Sequence, residues 1–144
     1  MADVAAPDVA ARMLPALTDH NRAFWIGGAN GTLMISWCPA CERYAQPPAA
    51  DCPECEGAMV PRAVSGRGSI YTYTVNHQPF MPGVPVPYVI AIVALDEQDD
   101  LRLATNIVDC EPDSVRIGLE VQVRFERHEV EGESVYYPVF APRG

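Results

Sequence analysis

Five cysteines, three histidines and nineteen carboxylates are the side chains here best suited to hold a metal or move a proton. Only the cysteines are spaced for it. Cys38-Pro39-Ala40-Cys41 is followed, ten residues on, by Cys52-Pro53-Glu54-Cys55. Two Cys-x-x-Cys pairs at a short separation supply four thiolates, the ligand set of a closed tetrahedral metal site. The proline after each first cysteine pre-sets φ for a tight turn and removes a backbone donor that the turn does not need. A redox dithiol is the competing chemistry, but that motif comes singly and beside a βαβ pattern, which this chain lacks. Four thiolates suit Zn²⁺ or iron. Nothing else in the sequence suggests electron transfer, so Zn²⁺ at Cys38, Cys41, Cys52 and Cys55 is favoured over an iron-bearing electron carrier. With every position filled by protein, the metal is structural, since a catalytic zinc needs an open position.

The remaining candidates carry less. His20, His77 and His128 are far apart and have no orienting partner beside them, and a lone histidine is seldom a general base. Asp96-Glu97 with Asp99-Asp100 lacks the glycine-spaced frame of a calcium loop and reads as a solvated turn. Gly66-x-Gly68 precedes a strand and not a helix, so it is a turn before it is a phosphate cradle. Gly-x-Ser-x-Gly, His-Glu-x-x-His, Walker and Rossmann signatures are all absent. No catalytic residue is assigned.

Composition narrows the classes further. All ten basic residues are arginine, which excludes lysine Schiff-base chemistry within the chain. The formal charge of -9 argues against a nucleic-acid footprint, which needs a basic face to release counterions. No apolar run is long enough to span a membrane, and no signal-peptide pattern opens the chain. Cys110, the one thiol left over from the metal set, fits a reducing compartment, and the expected location is cytoplasmic.

The elements that must position the cysteines follow from the hydrophobic pattern. Residues 1–17 form a loose tail. Residues 18–29 form a docking helix, capped by Thr18 or Asp19, running through Phe24-Trp25-Ile26 and stopping at Gly27-Gly28. So short a helix must dock, and Phe24 and Trp25 anchor it either on its own domain or on a partner chain. Residues 30–63 form the metal ribbon. Leu33, Ile35 and Trp37 alternate along a strand into the first cysteine pair, and Tyr44-Ala45-Gln46 returns. Such a unit is too small for its own core, so the metal supplies folding energy.

Residues 64–144 turn all-β. Tyr71, Tyr73 and Val75 alternate with Ile70, Thr72 and Thr74, and Tyr73 is either a stacking platform or barrel core. A proline-rich loop spans His77 to Pro87. Tyr88 to Leu95 reads as a strand buried on both faces. Leu101 to Val108, Val121 to Phe125 and Val135 to Phe140 complete five strands, with a turn or helical piece over 109–116. The fold class is mainly β: an N-terminal helix, a metal ribbon, then a five-stranded barrel for which the OB-fold is the commonest plan.

The order of these parts resembles a known family. A short helix ending in Phe24-Trp25, Gly31-x-Leu33, the two cysteine pairs, Ser65-Gly66-Arg67-Gly68 and Tyr71-x-Tyr73-Thr74-Val75 come first. Pro87-Tyr88-Val89, Leu95-Asp96-Glu97, Asn106-Ile107-Val108 and Ile117-Gly118-x-x-Val121-x-Val123-x-Phe125 follow. This string, over residues 18–142, is similar to the domain-of-unknown-function 35 family, which joins a rubredoxin-like zinc ribbon to an OB-fold. The resemblance implies that the barrel handles acyl-CoA. It also implies an accessory subunit, itself non-catalytic, of a thiolase-fold partner: a lipid-transfer-protein-like aldolase, that is a lyase, or a thiolase-type acyltransferase. The setting it implies is lipid metabolism, with steroid side-chain degradation first, in a hetero-oligomer with neither nucleic acid nor membrane. By position in the family's motifs, Arg67, Tyr73, His77, Phe80 and Met81 are candidates to contact acyl-CoA, and Phe24 and Trp25 to contact the partner. The family often places glycine after the Asp-Glu pair of its third motif; Gln98-Asp99-Asp100 stands there instead, so contacts of that tight hairpin do not carry over. The alternative from a different class is a nucleic-acid-binding ribbon and OB-fold module.

Overall fold

Asn21 and the Gly27-Gly28 pair decide how the chain enters its first sheet. A computed structural model describes residues 14–79 and 85–143. Helix α1 covers only Arg22–Ile26 and passes directly into a 3₁₀ turn, Gly27–Asn30, closed by Gly31 at φ +71°. It starts later than Thr18 or Asp19 would allow as caps. The Asn21 side chain is engaged on the preceding turn: its Oδ1 accepts from the Thr18 N–H (2.7 Å) and its Nδ2 donates to Ala16 O (3.1 Å). The α-helix stops at Gly27, as expected, and the two glycines carry a tighter 3₁₀ turn onward.

Three strands form the first sheet: β1 Leu33–Cys38, β2 Arg43–Ala45 and β3 Val60–Val64, in the order β2-β1-β3, all antiparallel. Five more follow: β4 Arg67–Asn76, β5 Tyr88–Leu95, β6 Arg102–Ile107, β7 Glu120–Val130 and β8 Glu133–Pro142, with a 3₁₀ turn at Pro112–Ser114. They close into a barrel in the order β4-β5-β6-β8-β7. β8 joins β6 in parallel through Ile107 and Phe140. The architecture is therefore mainly β with one short helix and an OB-type closed barrel, as the pattern implies. No helix among the described residues is long and apolar enough to cross a membrane.

Two strands depart from the sequence reading. A bulge between Ile70 and Thr72 shifts the β4 register, so Ile70, Tyr73 and Val75 all turn to the core while Tyr71 faces out. One extra residue reverses the alternation that follows it. Along β5, Val89, Ala91, Val93 and Leu95 are buried but Ile90 is 41% exposed. That strand is fully buried on one face and only partly covered on the other, where Ile90 is exposed and Ile92 and Ala94 are half-buried.

One apolar cluster joins helix, ribbon and barrel: Phe24, Leu33, Ile35 and Val64 pack with Val93, Leu95 and Phe140. The second glycine of α1's exit sets how closely the helix seats. A Cβ on Gly28 would lie 2.3 Å from Tyr136 Cβ and 2.7 Å from the Phe125 ring. Gly28→Ala is therefore expected to destabilise the fold by about 1–3 kcal/mol, the usual cost of overpacking a tight site. Chemical denaturation of the variant beside the wild type measures it.

Candidate metal centre and its junction with the barrel

The two cysteine knuckles adopt the same backbone course. After each pair the chain takes a left-handed residue, Glu42 (φ 56°) and Glu56 (φ 64°), a conformation non-glycine residues seldom adopt. Each of those residues donates its N–H to the carbonyl of the first cysteine in its pair, Glu42 to Cys38 at 2.7 Å and Glu56 to Cys52 at 2.9 Å. The turns aim all four sulfurs inward, within 4.8 Å of one another. Cys38 and Cys55 sulfurs stand 3.6 Å apart and Cys41 and Cys52 sulfurs 3.9 Å. These distances are far beyond a disulfide's roughly 2.05 Å, and all five cysteines are free.

Backbone donors already favour negative sulfur here. The N–H groups of Cys41, Glu54 and Gly57 point at Cys38, Cys52 and Cys55 Sγ at 3.3–3.4 Å. The Cys55 and Glu54 N–H groups bring the Cys52 thiol down to about 7. Hydrogen bonding with the Cys55 and Cys38 sulfurs pushes the Cys41 thiol up to about 12. Sulfurs this close share protons and cannot all ionise without a cation between them. The donor set, four inward sulfurs with backbone N–H support, fits a four-thiolate metal, and the four cysteines are positioned to bind one ion.

The acidic turn between β5 and β6 is not simply solvated. The Gln98 amide pairs with the edge of β2 as a strand would: its Oε1 accepts from the Tyr44 N–H (2.8 Å) and its Nε2 donates to Tyr44 O (3.0 Å). Arg43 donates to both oxygens of Asp100, at 2.7 and 2.6 Å, and Glu97 accepts the Ser65 N–H at 2.7 Å. The longer Gln98-Asp99-Asp100 turn thus clamps the ribbon to the barrel, a role that reading it as a solvated turn missed. Arg43 and Tyr44 follow Cys41 after the left-handed Glu42, so the clamp grips the first knuckle.

The other candidates lie apart. Arg67 is exposed at the start of β4 and His77 is exposed just past its end, on the order of 30 Å away at strand rise. Tyr73 is half-buried against the core. Phe80 and Met81 lie outside the described residues. Phe24 is buried in the shared core, and Trp25 packs edge-on to Phe24 and against Tyr137 (5.3 Å). His128 is no surface residue: its Nε2 lies 3.4 Å from Glu126 Oε1, both side chains buried on one face of β7. Spacing of i and i+2 on a strand was the only signal for that pair.

With this geometry in place, comparison with known proteins is informative. Residues 61–126 match the family described as ChsH2, C-terminal OB-fold domain. A DUF35 domain-containing scaffold protein of Methanothermobacter thermautotrophicus is 40% identical over 104 residues, which is 70% of this chain and 77% of that protein. The chain belongs to the DUF35 family. A probable enoyl-CoA hydratase alpha subunit of Thermomonospora curvata is 38% identical over 92% of this chain, which spans only 40% of that longer protein. Among solved structures, a chain of the Ltp2-ChsH2(DUF35) aldolase superimposes with a TM-score of 0.74 at 36% identity, over 90% of this chain and 98% of that one.

Two outcomes are expected of this DUF35 chain. Metal-loaded protein should leave one thiol, Cys110, open to a thiol reagent, and a chelator should expose all five cysteines and loosen β1–β3 in hydrogen exchange. Removing Cys52 as Cys52→Ser should abolish stoichiometric metal in elemental analysis. The second concerns the clamp. The Asp100 carboxyl is held below its ordinary value by the Gln98 amide and by Arg43. A depressed carboxylate contributes stability above its unfolded pKa, about 3.9, and loses it as pH falls through the folded value. Asp100→Asn should therefore melt slightly below wild type at pH 7, and the two should converge in acid. A difference that persists at low pH would exclude the carboxylate as its origin.

Proposed function

We propose that this DUF35 chain is a non-catalytic accessory subunit that completes a thiolase-fold, Ltp2-like aldolase or acyltransferase acting on an acyl-CoA thioester. The observation that carries this reading is the near-complete correspondence with the ChsH2(DUF35) chain, 98% of which is matched. Relatives named as scaffold and hydratase alpha-subunit proteins point the same way, towards work done in company. The acyl group is a steroid side chain or another bulky acid, as the family resemblance implies.

Zn²⁺ is the ion proposed for Cys38, Cys41, Cys52 and Cys55, where it supplies folding energy and no reactive position. The chain's own residues then bind and orient. Tyr73 and His77 lie towards one end of β4 and Arg67 at the other, so they serve different stretches of a long ligand or different partner contacts, not one pocket. Phe80 and Met81, candidates by their position in the sequence, remain part of the proposal. The partner supplies the reacting groups.

Co-expression with the Ltp2 subunit tests this. The expected result is a complex that co-elutes in size exclusion, contains zinc, and binds an acyl-CoA in calorimetry more tightly than either chain alone. Separate elution of the two chains, or co-purification of this chain with nucleic acid, would overturn the reading.

A further inference from the structure

The outer face of β4-β5-β6 is unlike the rest of this acidic molecule. Ladder partners share a face, and Thr74 pairs with Ile90 while Ile92 pairs with Ala104. Ile90 (41% exposed), Ile92 and Ala104 thus form an apolar strip, with Tyr71 (50% exposed) on the bulge beside it. No aspartate or glutamate lies on this face between residues 72–76, 88–94 and 102–106, although acidic residues outnumber basic ones 19 to 10 in the chain. Within those stretches its one charge is Arg102, whose guanidinium stacks 3.9 Å over the Tyr71 ring and, among the described residues, meets no carboxylate; Arg67 lies at the far end of β4. The strip runs through Arg102 and Ala104 into a groove of about 380 Å³ walled by Trp25, Pro47 and Tyr137. β5 and β6 are the second and third strands of the barrel, the face on which OB-folds take their ligands.

We propose that this face is where the catalytic subunit docks, through an apolar surface that carries a carboxylate opposite Arg102. The proposal rests on the accessory-subunit reading above. Charge selects the occupant. A second copy of this chain would bring the same patch against itself, cation to cation with no carboxylate to answer it. A nucleic acid would need several cations along its path, and the face has only Arg102, with Arg67 at its far end. An apolar protein surface with one acidic group satisfies both the strip and the stacked arginine, which keeps its flat faces for packing and its N–H edge for a carboxylate.

The test measures binding of purified Ltp2 to the full-length, metal-loaded chain. Ile90→Glu, Ala104→Glu and Arg102→Glu should each weaken binding at least about tenfold, as charge placed in an interface centre or reversed against its partner does. Val60→Glu and Ile117→Glu, at exposed apolar positions elsewhere (45% and 67%), should leave it within about twofold, as surface changes outside an interface do. All five positions are exposed at least in part, so thermal melts should stay close to wild type and certify the comparison. Wild-type affinity in all three face variants overturns the docking site while leaving the accessory reading intact. Failure of the wild-type chain to bind Ltp2 removes both. Dimerisation of the isolated chain that Ile90→Glu abolishes, or binding of a thymidine oligonucleotide that Arg102→Glu abolishes, would assign the face to those occupants instead.

Discussion

Four sulfurs within 4.8 Å of one another cannot all be negative in the absence of a cation, and their backbone surroundings favour thiolate. The rest of the ribbon depends on resolving that conflict. β1, β2 and β3 are six, three and five residues long, and most of β3 is exposed. Left to itself such a sheet buries too little to hold its strands together. An ion between the four sulfurs would remove the charge conflict and tie both knuckles into one unit, and the same strands lend Leu33, Ile35 and Val64 to the common core.

The parts of this protein that follow a fixed rule were legible in the sequence. Cys-x-x-Cys at the right separation specifies a four-sulfur cluster whatever surrounds it, and the turn signals bracketed all five barrel strands to within a few residues. What escaped was set by tertiary context. Nothing local marks the bulge after Ile70, yet it decides that Tyr73 and not Tyr71 enters the core. The run from Tyr88 to Leu95 is apolar on both sides, which in a parallel sheet means double burial, whereas here the outer side is only partly covered. Gln98 and Asp100 look like a solvated turn because their partners, Tyr44 and Arg43, are more than fifty residues away. The Glu126–His128 pair was invisible for a related reason: burial, not spacing, gives it meaning.

The departure at Gln98-Asp99-Asp100 from the family's usual glycine gains a physical account from the clamp. A tight hairpin would end too soon to reach β2. The longer turn carries an amide that imitates a strand and a carboxylate that takes Arg43 at both oxygens. Exposed pairs of this kind stabilise little one at a time. Their value lies in orientation, since Glu97, Gln98 and Asp100 from one turn tie the cysteine-bearing sheet to the barrel.

That tie matters because of what lies along the junction. Gln46, Pro47 and Pro48 of the loop between the two knuckles and Arg102, Leu103 and Ala104 of β6 all line the groove. β6 begins just after the clamp turn. The groove and the outer face of β5 are therefore shaped by the cysteine cluster at one end and by the Gln98–Tyr44 pairing at the other, though neither touches whatever docks there. The ribbon is held to the barrel by the Gln98 and Asp100 contacts and by Leu33, Ile35 and Val64 in the common core, while the cysteine cluster sets the course of the loop that carries Pro47 between its two knuckles.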